Sequence, residues 1–189
     1  RAKGRKLLGL SPKHCVFVTS GRLTAGKGFE LLLEAFGEVL KRRSHVALLI
    51  VGSGRRSYEQ ELKEKAEKLG IRKAVFFINW VSQEELCMYY NASDVGVLPG
   101  KLGGIKEIIA VGRPLRVPQH DSTAYFVEKG NGLTFLPGSS PSLIEAMISY
   151  IDRPELRIEH ARKSLNVARG DLSWEAVARK SLEIYLSMH

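Results

Sequence analysis

Apolar residues alternate along this chain between two rhythms. Short unbroken runs, such as Val46-Ala47-Leu48-Leu49-Ile50-Val51, are followed by longer stretches in which apolar positions return every three or four residues. An unbroken run bounded by turn residues reads as a strand that is apolar on both faces, and the longer spacing reads as an amphipathic helix. Strands are predicted at 14–20, 45–51, 74–78, 94–98, 114–118 and 132–136. Helices are predicted at 27–43, 57–69, 82–91, 104–111, 122–129, 141–151, 155–168 and 173–187. Alternating strands and helices imply right-handed crossovers. The expected fold is α/β: a doubly wound, Rossmann-like parallel sheet of about six strands in one domain.

Local signals agree with this reading. Ser82-Gln83-Glu84-Glu85 has capping-box spacing, and Gly70 and Gly112 follow helices where a left-handed residue is wanted. Pro141 and Pro154 sit near first helical turns, and Pro114 begins a strand. No domain boundary falls inside 14–169. Residues 1–13 read as an incoming linker with some helical character, and 14–189 as the domain itself. The last helix, 173–187, carries Trp174, Ala178, Leu182 and Tyr185 at helical spacing. That apolar stripe either docks on its own domain or crosses to another.

Composition narrows the class. The 189 residues are 44% hydrophobic, enough for a sizeable core, and show no internal repeat. No apolar run approaches the roughly 18 residues that span a bilayer. The first residue is Arg1, not Met, without a signal peptide, so the chain reads as a piece of something longer. Cys15 and Cys87 read as buried small hydrophobes in a reducing compartment, which implies a cytoplasmic protein. The net charge of +9 favours anionic partners, a membrane face among them. Nucleic acid ranks last, because the basic clusters are dispersed and carry no interleaved aromatic stripe.

In a doubly wound sheet, ligands sit beyond the carboxyl ends of the strands. The loop after the first strand is Gly21-Arg22-Leu23-Thr24-Ala25-Gly26-Lys27-Gly28. A glycine-bearing turn into a helix aims free backbone N–H groups at one point, and Arg22 and Lys27 add two cations there. This is a phosphate site, and two cations point to a diphosphate. It is not a Walker A loop. Gly52-Ser53-Gly54 after the second strand resembles an incomplete dinucleotide fingerprint, since Ser57 stands where the third glycine would be. Its alternative is a tight turn without ligand contacts. Glu107, after Gly103-Gly104, is placed either to accept hydrogen bonds from ribose hydroxyls or only to complement a helix dipole. Gly100, Gly103 and Gly104 could let a ligand approach the backbone. His120 and Asp121 end the fifth strand as a polar turn or a substrate contact. The histidines are scattered and no Asp-x-Asp occurs, so neither a metal nor any other cofactor is expected.

Taken in order, several segments resemble the C-terminal donor-binding domain of GT-B glycosyltransferases of the group 1, family 4 type. They are Gly21-Arg22-Leu23 with Lys27-Gly28, Leu49-Ile50-Val51-Gly52-Ser53-Gly54, Ala92-Ser93-Asp94-Val95 with Leu98-Pro99, Glu107 through Pro114, and Leu172-Ser173-Trp174-Glu175. The resemblance covers nearly the whole chain. It implies that Arg22 and Lys27 grip a donor diphosphate and act as the catalytic cations. It implies that Glu107 holds the ribose, and Gly21, Gly103 and Gly104 are counted among the donor-binding residues. Gly52, Ser53 and Gly54, and across from them Asn79, Trp80 and Val81, would flank the base. The implied donor is a nucleoside-diphosphate sugar. The acceptor would be a sugar or lipid-linked glycan held by an absent N-terminal domain, with the protein cytoplasmic or peripheral on the cytoplasmic membrane face. Two departures stand out. Pro99 takes the place of the family's sugar-side glutamate, and the 99–104 loop is shorter than usual. A non-catalytic module that keeps the phosphate grip, or a sugar-nucleotide epimerase of the same architecture, are the alternatives.

Overall fold

In the computed structural model, residues 1–100 and 103–188 are described, with Asp121 and Ser122 as backbone only. Six strands run in the order in which the sequence implies them: β1 (Cys15–Ser20), β2 (Val46–Val51), β3 (Val75–Ile78), β4 (Val95–Val97), β5 (Leu115–Pro118) and β6 (Gly132–Phe135). All pair in parallel, in the spatial order β3-β2-β1-β4-β5-β6. This is a doubly wound sheet whose order reverses between β1 and β4, and the crevice at that switch point is where ligands enter such folds.

Nine helices are found among the described residues: α1 (Ala2–Leu7), α2 (Phe29–Arg42), α3 (Arg56–Lys68), α4 (Gln83–Ala92), α5 (Ile105–Ala110), α6 (Asp121–Ala124), α7 (Ser140–Asp152), α8 (Pro154–Arg169) and α9 (Trp174–Ser187). Every residue of β1 and β2 is buried, which explains why these strands read as continuous apolar runs instead of alternating ones. Phe29, Leu32, Leu33, Phe36 and Val39 of α2 pack onto the same core. The capping box at Ser82 is present, with reciprocal bonds between Ser82 and Glu85.

Two elements differ from expectation. The helix predicted over 122–129 is only α6, followed by a 3-10 turn at Tyr125–Val127. Helix α2 begins two residues late, since Gly28 takes φ 80° as its N-cap. The stretch read as an incoming linker with some helical character holds α1, which packs on α4. The buried Arg5 side chain ties α1 down, donating to the carbonyls of Ala92 (2.9 Å), Ser11 (2.9 Å) and His14 (3.1 Å) and to Asp94 (2.6 Å). No helix among the described residues is long and apolar enough to cross a membrane.

Candidate nucleotide-binding cleft

A hollow of about 480 Å³ lies at the switch point, beyond the carboxyl ends of β1 and β2. Two loops approach each other closely to form its floor. Gly21 donates to Val51 O (3.0 Å), Leu23 donates to Ser53 O (3.0 Å), and Leu23 bridges to Gly54. Gly52 has φ 142°, and a Cβ there would lie 2.0 Å from Gly21 O, so only glycine permits this approach.

Of the residues singled out from the sequence, Gly21, Arg22, Gly52, Ser53, Trp80, Val81, Gly104 and Glu107 line the hollow. Lys27, Gly54, Asn79 and Gly103 do not. Lys27 is one residue before the α2 N-cap, Gly28. The first three N–H groups of α2, at Phe29, Glu30 and Leu31, have no side-chain cap, and Leu32 is the first to bond back, to Gly28 O (3.0 Å). The side chains of Arg22, Lys27 and Glu107 form no ion pair or hydrogen bond with any described residue, although the domain has several exposed ion pairs elsewhere. Arg22 and Glu107, whose side chains have no partner among the described residues, therefore both line the hollow, while Lys27 leads into the uncapped N-terminus of α2.

The glycine-serine-glycine turn does not behave as a phosphate loop. Gly52 donates to Ile78 O (2.8 Å) and Gly54 to Glu59 Oε1 (2.6 Å), while Ser53 Oγ accepts from the Trp80 N–H (2.9 Å). Those donors are consumed inside the protein, and the turn instead fixes the 79–81 loop. Trp80 is left 79% exposed as a broad apolar wall.

Sequence reasoning missed Ser20, Val51, Gln83, Leu86 and Tyr90, which also line the hollow. Gln83, Leu86 and Tyr90 share one face of α4 at helical spacing, and that periodicity was the available signal. The hydroxyls of Ser20 and Tyr90 are 2.5 Å apart. Burial raises the Tyr90 phenol above its ordinary range, nearby Glu107 adds to this, and the Ser20 bond opposes it. At the far end, Pro99 lies against the α2 N-cap: a Cβ on Gly28 would be 3.0 Å from Pro99 Cβ. An apolar ring thus occupies the position at which the resemblance leads one to look for a sugar-side carboxylate. His120 lies between β5 and α6, and the Asp121 side chain lies outside the described residues, as do Lys101 and Leu102 of the short loop. Among the described residues no three His, Cys, Asp or Glu side chains converge as a metal site.

A doubly wound domain with a cationic loop at its switch point defines a class of anion- and nucleotide-binding domains. Comparison with known proteins makes this specific: the model for glycosyl transferases group 1 matches residues 1–164, and the chain belongs to that family. It is 27% identical over 189 residues to an uncharacterized glycosyltransferase of Methanocaldococcus jannaschii, covering 96% of this chain and 47% of the relative. Its fold matches Anabaena HepE, solved in complex with UDP, at TM-score 0.85 and 21% identity over 100% of this chain and 52% of HepE. It also matches the C-terminal domain of a group 1 glycosyl transferase from Francisella tularensis at TM-score 0.76 and 20% identity, covering 89% of this chain and 91% of that domain. The chain spans about half the length of the curated relatives it matches, and its architecture is that of the C-terminal, Rossmann-like half of a GT-B enzyme.

Proposed function

We propose that this chain is the donor-binding half of a retaining glycosyltransferase that uses a nucleoside-diphosphate sugar. The observation that carries the reading is one hollow lined by Arg22 and Glu107, neither side chain with a counter-ion among the described residues, with Lys27 in the same loop leading to the uncapped N-terminus of α2. When the sugar–phosphate bond breaks, negative charge develops on the terminal phosphate of the leaving nucleoside diphosphate. Fixed cations and helix N–H groups aimed there stabilise the transition state more than the ground state. Glu107 accepts from the ribose hydroxyls, and Trp80 and Val81 flank the base. No metal is needed, because two guanidinium and ammonium charges already balance the diphosphate.

An N-terminal half would hold the acceptor, a sugar or lipid-linked glycan, within about 3–3.5 Å of the reacting carbon. The apolar stripe of α9 would pack toward that half. Location in the cytoplasm, with peripheral contact to an anionic membrane through the excess of basic residues, completes the proposal. Pro99 at the sugar end favours a second reading, a module that binds the nucleotide without turnover.

Calorimetry with UDP, GDP and ADP, in magnesium and in excess chelator, tests the proposal. One of them should bind equally in both buffers. Arg22→Ala or Lys27→Ala should each weaken it by about 1.5–3 kcal/mol, the worth of a charge-assisted bond. Melting without ligand should be unchanged, because neither side chain has a protein partner. A tenfold loss in chelator would overturn the charge balance, and unaltered affinity in both variants would overturn the site. A labelled-donor assay with the N-terminal half present separates transfer from binding without turnover.

A further inference from the structure

At the opposite end of the sheet, by the amino ends of β1 and β4, a second hollow of about 200 Å³ is walled by Arg1, Asp94, Arg113 and Arg157 and by Pro154, Ile158 and Ala161 of α8 and the residues that open it. It is separated from the nucleotide cleft by the six-residue length of β1, roughly 17 Å at strand rise. The groups around it are unbalanced. Asp94 is the one carboxylate, and it is already bound by Arg5 (2.6 Å), by Arg1 and by the Val16 N–H (2.8 Å). Arg5 is fully committed to the protein, as described above. Arg113 uses Nε and Nη2 on the last carbonyls of α4, at Tyr90 (3.3 Å) and Asn91 (3.1 Å). Arg157 uses only Nη1, on the carbonyls of Tyr150 and Ile151 and the Cys15 sulfur (3.7 Å).

Three guanidinium groups thus line one small hollow with N–H groups still unclaimed by any described residue: Nη1 of Arg113, Nε and Nη2 of Arg157, and the outer edge of Arg1. The helix carbonyls fix the arginine planes and offset part of their charge, but four guanidiniums against one carboxylate leave a clear positive excess. The mutual repulsion is visible in Arg113, whose pKa is lowered chiefly by burial and further by Arg1 and Arg5, with Asp94 opposing. Fixed, forked donors around a cavity too small for a nucleotide match a compact tetrahedral oxyanion.

We propose that this hollow is a second anion site, distinct from the nucleotide cleft, that takes a phosphate group, either inorganic phosphate or a small phosphate monoester. Ile158 stands 62% exposed among its walls and offers a way to test it without touching an arginine that caps a helix.

The experiment starts from the Arg22→Ala/Lys27→Ala protein, so that the nucleotide cleft cannot report. Inorganic phosphate is titrated at constant ionic strength against chloride, with melting temperature and calorimetry as readouts, and glycerol phosphate is run in parallel to separate the free ion from the monoester. Phosphate should raise the melting temperature saturably. In that background Ile158→Glu should place a tethered carboxylate over the arginines, raising the melting temperature without phosphate and weakening phosphate binding at least about tenfold. Ile158→Gln should change neither. The proposal is overturned if the double variant shows no saturable phosphate effect, or if Ile158→Glu binds phosphate as the parent does.

Discussion

The hydroxyl oxygens of Ser20 and Tyr90 lie 2.5 Å apart directly beneath Gly104, the N-cap of α5. Gly104 has φ 86°, and a Cβ there would stand 2.5 Å from Ser20 Oγ and 2.6 Å from Tyr90 Oη. The end of β1, the end of α4 and the beginning of the Glu107 helix therefore meet at one point. Gly104→Ala should destabilise the domain by about 1–3 kcal/mol from the left-handed backbone alone. It should also weaken nucleoside diphosphate, because α5 carries Glu107. Adding Tyr90→Phe removes one of the two collisions and should recover part of the urea midpoint. No loss in the single variant would show that α5 shifts freely.

Arg116 should be more useful to the fold as an apolar side chain than as a cation. It is 1% exposed on β5, its guanidinium carbon lies 4.2 Å from the Tyr150 ring centroid, and its Nε has no hydrogen-bond partner. Its one side-chain hydrogen bond is to Ser149, and no carboxylate reaches it among the described residues. Burial pulls its pKa down to about 10. Replacing a buried charge by an apolar residue of similar length is often neutral or stabilising by about 1–4 kcal/mol. Arg116→Met should therefore match or exceed the parent in chemical denaturation. Arg116→Ala should lose about 2–4 kcal/mol to the cavity it opens. Strong destabilisation by Met would mean that the ring contact outweighs the burial cost.

Much of this architecture was legible because parallel strands buried on both faces leave unbroken apolar runs, and β1 and β2 could hardly be read otherwise. The cationic loop was equally plain, since Arg22 and Lys27 are adjacent in sequence to the glycines that shape it. What sequence hides is pairing across distance. Gly52-Ser53-Gly54 offers the right residues for an anion, yet Ile78 O and Glu59 take its donors, and no spacing rule shows that. Tyr90 reads as one more apolar helix position, although Ser20, far away in sequence, brings its hydroxyl to the floor of the cleft. Residues 1–13 read only as a linker with some helical character because the contact that holds α1, Arg5 with Asp94, joins two residues separated by three strands of sequence.

Stability should fall on the acid side of neutrality through His160. Its Nδ1 lies 2.7 Å from the Tyr150 hydroxyl, and burial lowers its pKa below 6.5, with Glu159 opposing. The unfolded chain then binds more protons than the folded one once the pH drops below the unfolded value. The contribution is complete above about pH 6.5 and is lost as pH falls toward the lowered folded pKa. His160→Asn keeps an acceptor for Tyr150 but cannot titrate. The melting temperature of the parent should drop between pH 7.5 and 5.5 by more than that of the variant, and parallel curves would remove His160 as the cause.

The sequence leaves two places for the apolar stripe of α9, and among the described residues the structure leaves that stripe uncovered. No residue of α9 is buried, and Trp174 is 86%, Leu182 59%, Ile184 61% and Tyr185 70% exposed. Its capping is complete nonetheless, with Ser173 Oγ accepting from the Ala176 N–H (3.1 Å), so the helix is formed and its face is uncovered. A surface of that kind contributes nothing to the domain that carries it and promotes self-association until something covers it. A chain ending at residue 172 should therefore unfold within about 0.5 kcal/mol of the parent, since no buried contact is lost. It should bind nucleoside diphosphate with the parent's affinity, because the cleft lies at the carboxyl ends of β1 and β2 and α9 contributes no residue to it. It should also sediment as a smaller species at high concentration. In the protein that includes the proposed acceptor half, the same truncation should abolish transfer while leaving donor binding intact, because the two halves lose a shared contact. A large drop in the denaturation midpoint of the truncated chain would show that α9 folds back onto its own domain in solution, and the crossing arrangement would fall with it.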